Sequence, residues 1–85
     1  MVVCTKQKRY AAVQLTAGNL LTVIEKVFDQ MASVNVNPPM LVLSTVEDGY
    51  KNVPAGWYLL FNEDGKVALA KSENELKAEF DMEAE

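Results

Sequence analysis

The amino-acid sequence predicts an α+β fold: one amphipathic helix packed on a small antiparallel sheet, or a partly closed barrel, of five to six short strands. Three observations carry this reading. One stretch, Leu20 to Met31, repeats apolar residues at helical spacing. Several others alternate or run apolar over strand lengths, with Gly, Pro, Asn and Asp between them. The 85 residues leave room for one core, so residues 1–85 are expected to form a single domain.

Residues 1–9 read as a polar N-terminal arm leading into the first strand. From Tyr10 to Thr16 the pattern has period two, with Ala11, Val13 and Leu15 on one side and Tyr10, Ala12 and Gln14 on the other. A helix is expected over 19–33. Leu20, Ile24, Val27, Phe28 and Met31 share a stripe, Leu21 and Val23 widen its edge, and Glu25, Lys26, Asp29 and Gln30 fall largely opposite. Thr16 or Asn19 can cap its start. Val34 to Pro39, closing on two prolines, reads as a stiff connection. Strands are expected at 40–47, 50–53, 57–62 and 66–71, the first of them central with both faces largely covered. In the third, Trp57, Leu59 and Phe61 should face one way, Tyr58 and Leu60 the other. Asn62-Glu63-Asp64-Gly65 is a hairpin turn, because Asn and Asp favour turn positions and Gly supplies the left-handed φ. At 72–83, Ser72-x-x-Glu75 fits a capping box and the alternation of Ala78, Phe80 and Met82 suits a strand. The expectation is one helical turn to Lys77, then an edge strand over Ala78 to Met82.

Charge is unevenly placed. The net charge is −4, yet residues 1–42 hold four bases and two acids, whereas residues 43–85 hold four bases and ten acids. After Ser72, six acids (Glu73, Glu75, Glu79, Asp81, Glu83, Glu85) face only Lys77. An acidic domain repels phosphate backbones, and the short cluster Lys6, Lys8, Arg9 does not reverse that, so general nucleic-acid binding is not expected. The apolar runs are too short for a membrane helix, and the first residues lack the order of a signal peptide, which suggests a cytoplasmic protein. With no histidine and one cysteine, imidazole-based zinc sites and Ser–His or Cys–His pairs cannot be assembled within one chain.

The order of several short segments resembles a family of small phage proteins. Lys8-x-Tyr10-Ala11-Ala12-Val13-Gln14-Leu15-Thr16-x-x-Asn19 is similar to the family's opening K-P-V-V-I-E-A-V-Q-W-T-G-x-N. Leu41 to Glu47 resembles its L-V-I-x-T-L-E, and Pro54-Ala55-Gly56-Trp57-Tyr58 stands where it has P-G-D-W-I. Gly65, Lys71, Leu76, Ala78 and Phe80-Asp81 are similar to its closing segment, with one residue inserted near Asn74. Ala55-Gly56 replaces the family's Gly-Asp, and Leu69-Ala70-Lys71-Ser72 its Pro-Cys-Lys-Pro, so no role of those residues transfers. The resemblance implies phage origin and an α+β fold, and supplies no catalytic residues.

The residues point to binding more than to catalysis. Glu47 with Asp48, and Glu63 with Asp64, lie in expected turns, where hydration keeps carboxylates near their ordinary pKa. Neither turn has calcium-loop spacing, and Gly49, Gly56 and Gly65 are isolated, so no metal, cofactor or phosphate loop is expected. Cys4 has no evident activating base. Phe28 is assigned to the core. Tyr50, Trp57 and Tyr58 are candidate interface anchors, with Glu73, Glu75, Glu79 and Asp81 steering toward a basic patch. The expected function is a non-enzymatic, phage-encoded accessory protein in the host cytoplasm that binds a host or viral protein. Steric inhibition of a defence or metabolic factor is one such role. The alternatives are an oligomer sequestering a nucleotide signal through Arg9, Lys71 and Tyr58, and a minor virion or assembly component. An unpaired sheet edge makes a homodimer an expectation too.

Overall fold

The computed structural model describes residues 2–4 and 8–83. Lys6 and Glu85, named above for their charge, lie outside the described residues. The chain runs β1 (Val2–Cys4), β2 (Arg9–Gln14), α1 (Leu20–Val27), a 3-10 turn (Phe28–Gln30), β3 (Met31–Val36), β4 (Pro39–Thr45), β5 (Gly49–Pro54), β6 (Tyr58–Phe61), β7 (Val67–Lys71), α2 (Glu73–Glu79) and β8 (Asp81–Glu83). The strands form two antiparallel sheets, one ordered β7-β6-β2-β1-β8 and one ordered β3-β4-β5. The fold is α+β and mostly sheet, and the sheets do not close into a barrel.

The five-stranded sheet has a hydrophobic cluster on each face, which is why β6 is buried along its whole length. Trp57, Leu59 and Phe61 project into the first cluster, with Leu15, the helix residues Leu20, Val23 and Val27, and Leu41, Leu43 and Val53 of the smaller sheet. Tyr58 and Leu60 project into the second, with Val3, Tyr10, Ala12, Leu76 and Phe80. Helix α1 and the small sheet therefore lie over one face and α2 over the other. The alternation expected in β6 is the one observed, and it serves two cores. Backbone bonds join the sheets at one margin, where Val46 and Glu47 N donate to Val67 and Ala68 O.

Several expectations need correction. The N-terminal arm contains β1, which fills the slot between β2 and β8 and buries Val3 completely. The helix expected to reach residue 33 ends at Val27, and Met31 is already extended. Gln30 holds the break. Its amide nitrogen donates to Ser44 O and Val67 O, each at 2.9 Å, and its amide oxygen accepts from Val67 N at 2.9 Å. Phe28 stands about 80° round the helix from Leu20, beside exposed Leu21, and so lies off the buried stripe. Phe28 is 69% exposed, whereas Val23, assigned to the stripe's edge, is buried. Met31 to Val36 is strand β3, paired with β4 across a two-residue turn at Asn37-Pro38, whose peptide bond is cis. Strand β4 is central, as expected, but its two faces are covered unequally: Leu41, Leu43 and Thr45 are buried, and Met40, Val42 and Ser44 only partly so.

Local signals at the ends of elements lie closer to expectation. Asn19 occupies the cap position of α1, but its side chain turns back, accepting from Thr16 N at 2.8 Å and donating to Gln14 O at 2.7 Å. Gly65, at φ 77°, closes the β6–β7 turn, where Asn62 Oδ1 accepts from Asp64 and Lys66 N. The capping box is present: Ser72 Oγ accepts from Glu75 N at 3.3 Å and Glu75 Oε1 from Ser72 N at 3.2 Å. It starts a helix of seven residues, longer than the single turn expected, which carries the chain past Ala78 and starts the last strand at Asp81.

Candidate functional site

The pairing registers of the small sheet decide which residues share its outer face. Asn35, Met40 and Pro54 are in line, as are Ser33, Val42 and Asn52, and Ser44 is opposite Tyr50. Successive side chains on a strand point to opposite faces, so these eight lie on the side away from Leu41, Leu43 and Val53. None of the eight is buried, none belongs to either core cluster, and none carries a charge at neutral pH. In a chain of net charge −4, this is an uncharged platform of mixed apolar and amide character. Tyr50 stands on it 73% exposed.

The tip of the β4–β5 hairpin is tied to the larger sheet. Thr45 Oγ1 donates to Gly49 O at 2.8 Å and accepts from Asp48 N, which shapes the turn beside Tyr50. Glu47 in that turn accepts from the Tyr10 hydroxyl at 2.6 Å and from Lys8 Nζ at 3.3 Å. The ring of Tyr10 is buried and meets Phe80 edge-on, with centroids 5.9 Å apart. Burial first, then the hydrogen bond and the negative charge of Glu47, push the Tyr10 hydroxyl up to about 12. The same hydrogen bond, aided by Lys8, holds the Glu47 carboxyl below its ordinary value despite some desolvation. Glu47 thus stays ionised and engaged at neutral pH, as a strut between the sheets and not as a proton donor.

Beside the strut is a cleft of about 460 Å³ lined by Lys8, Arg9, Tyr10, Glu47, Glu63 and Asp64, among others. Its carboxylates outnumber its cations, so an incoming phosphate meets more repulsion than attraction. No group of three His, Cys, Asp or Glu among the described residues could hold a metal ion. Among the same residues, no helix is long and apolar enough to cross a membrane.

Of the aromatic anchors expected from the sequence, only Tyr50 is presented to solvent. Trp57 packs partly against the first core, and Tyr58, 8% exposed, is buried in the second. Tyr58 is displaced from the anchor role because β6 is interior, so neither of its faces reaches the surface, and Trp57, just before β6, is held partly buried against the first core. The acidic residues occupy another region. Glu73 pairs with Lys77 at 3.4 Å, Glu79 with Lys71 at 3.3 Å, and Glu75 is in the capping box. The Ser72 bonds, then nearby Lys71 and Lys51, hold the Glu75 carboxyl below its ordinary value. Asp81 is exposed at the start of β8, in register with Cys4. These acids sit on or just after α2, over the face of the large sheet opposite α1, and do not share the Tyr50 platform. The proposed nucleotide contacts do not converge within one chain either. Lys71 and Tyr58 are cross-strand partners at one end of the sheet, whereas Arg9 lies five residues, about 17 Å, from the Gln14 that pairs with Tyr58.

Sequence reasoning missed the platform and its strut. Tyr10 and Glu47 are 37 residues apart, and only strand pairing brings them together. The platform did leave a signal: from Gln30 to Val46 the chain has no Asp, Glu, Lys or Arg. Comparison with protein-family models, curated proteins and solved structures gives no match.

Proposed function

We propose that this chain is a non-enzymatic binding protein that docks on a protein partner through the uncharged outer face of the small sheet, with Tyr50 as anchor. One observation carries the reading: eight residues without charge, none of them buried, share one face of the small sheet on an otherwise acidic chain. Such a face disfavours a charged partner surface, whose groups would be desolvated without a counter-charge. It fits a neutral surface that Met40, Val42 and the Tyr50 ring can contact while Asn35 and Asn52 supply hydrogen bonds. The resemblance of the sequence to small phage proteins supports a host or viral protein as the partner. Binding would then inhibit that partner by occlusion.

Tagged protein exposed to infected and uninfected host lysate provides the test, with Tyr50→Ala and Val42→Lys compared against a Glu79→Lys control. Each variant alters a side chain outside the core clusters. The reading expects one stoichiometric partner held by wild type and by the control, with the affinity of Tyr50→Ala down by about 30-fold, the scale of a tyrosine hot spot. A partner retained equally by all three variants, or lost only with the control, would overturn it.

A further inference from the structure

Strand β3 is the edge of the small sheet, bonded to β4 along one side, with no strand on the other among the described residues. Every residue from Ala32 to Val36 is exposed. Edges of this kind are ordinarily blunted by charges, prolines or bulges, because their free N–H and C=O groups template further pairing. Here a register irregularity between Met31 and Ser33 disturbs only the first part of the strand, and the prolines lie beyond Val36. Ser33-Val34-Asn35-Val36 is regular, uncharged and open.

Its side chains add a second feature. Val34 and Val36 are opposite Leu41 and Pro39, so they share the core-facing side of the sheet, yet they are 41% and 69% exposed. They overhang the core on the side where α1 contacts β3. The buried stripe Leu20, Val23, Val27 fixes the rotation of α1, and Leu21, Ile24 and Phe28 form the apolar flank beside it. The other flank faces the β6–β7 turn, where Lys26 lines a cleft with Gly65 and Asp29 pairs with Lys66 at 2.9 Å. The apolar flank is therefore turned away from that turn.

We propose that the protein is a two-fold dimer in which β3 pairs antiparallel with β3 of a second copy, merging the two small sheets into one of six strands. A copy of the chain fits this edge for two reasons. Two molecules of charge −4 repel, and an uncharged strand is a place where they meet without setting like charges opposite each other. In addition, a two-fold axis normal to the sheet keeps both α1 helices on one face. One operation then supplies the missing strand and brings both pairs of overhanging valines, with both helix flanks, toward the axis. Registers placing Val34 opposite Val34 or Val36 keep all the valines on that face.

Tyr50, Met40 and Val42 project from the opposite face, so the dimer and the partner-docking reading can fail separately. Sedimentation equilibrium of the full chain, with Val34→Lys and Val36→Lys, is the test, and amide hydrogen exchange of β3 is followed in parallel. The expected result is twice the monomer mass of 9.4 kDa, protection of β3 amides that rises with concentration, and dissociation at least about tenfold easier in each variant. Circular dichroism should be unchanged, because both positions are exposed. A monomer at high concentration would overturn the proposal, as would a dimer indifferent to both substitutions. Protection of β3 only by another protein or an extended peptide would assign the edge to that partner and overturn it too.

Discussion

Replacing Tyr10 by Phe removes one oxygen and leaves the ring that meets Phe80. The lost group is a hydroxyl donating to an ionised carboxylate at 2.6 Å, and bonds to charged groups contribute about 1.5–3 kcal/mol. Glu47 is only partly buried and keeps Lys8 at 3.3 Å, so water and the ammonium replace part of what is lost. The expected cost is therefore about 1–2 kcal/mol, at and just below the lower end of that range. In a domain of this size that lowers Tm by roughly 5–15 °C. Urea unfolding of Tyr10→Phe, Glu47→Gln and the double variant measures the coupling, expected to be about 1 kcal/mol. The pH dependence has a definite sign. The Glu47 carboxyl is lowered in the folded chain, so its contribution is present above the unfolded value and is lost as pH falls through the folded one. The Tyr10 hydroxyl is raised, so its contribution is complete below about 10 and is lost as pH rises toward about 12. Tyr10→Phe should remove its share of the alkaline loss and shrink the acid one. Additive single substitutions with an unchanged pH profile would refute the strut.

Other expectations follow from the two cores and the caps. Leu60→Ala should cost about 2–5 kcal/mol by denaturant unfolding, because Leu60 is fully buried in the second core. Phe28→Ser, at a position first assigned to the core, should change stability by less than about 0.5 kcal/mol in the monomer. Ser72→Ala should cost about 1 kcal/mol through loss of the cap on α2, read from the same unfolding curves.

What could be read from the sequence was set by short-range chemistry. The hairpin at Asn62 to Gly65, the capping box at Ser72 and the alternation along β6 each depend on residues within a few positions of one another. Strand β3 could not be read that way. Met31 continues the helical spacing of Leu20, Ile24 and Val27, and the helix stops because Gln30 is claimed by Ser44 and Val67 from two other strands. Tyr58 illustrates the same limit in the site. An aromatic with a polar tip is a sound interface candidate until the neighbours of its strand are known, and here β2 and β7 flank β6 on both sides. Tyr50 has the same chemistry on the edge strand β5, and it is exposed.

The proposed docking surface is the uncharged face of β3, β4 and β5. A photo-crosslinking side chain placed singly at Val42, Tyr50 and Asn52, and for comparison at Glu73, Glu79 and Asp81, tests it most directly. The expected result is one partner crosslinked from the first three positions and not from the acidic three. Crosslinks confined to the acidic positions, with none from Val42, Tyr50 or Asn52, would contradict it.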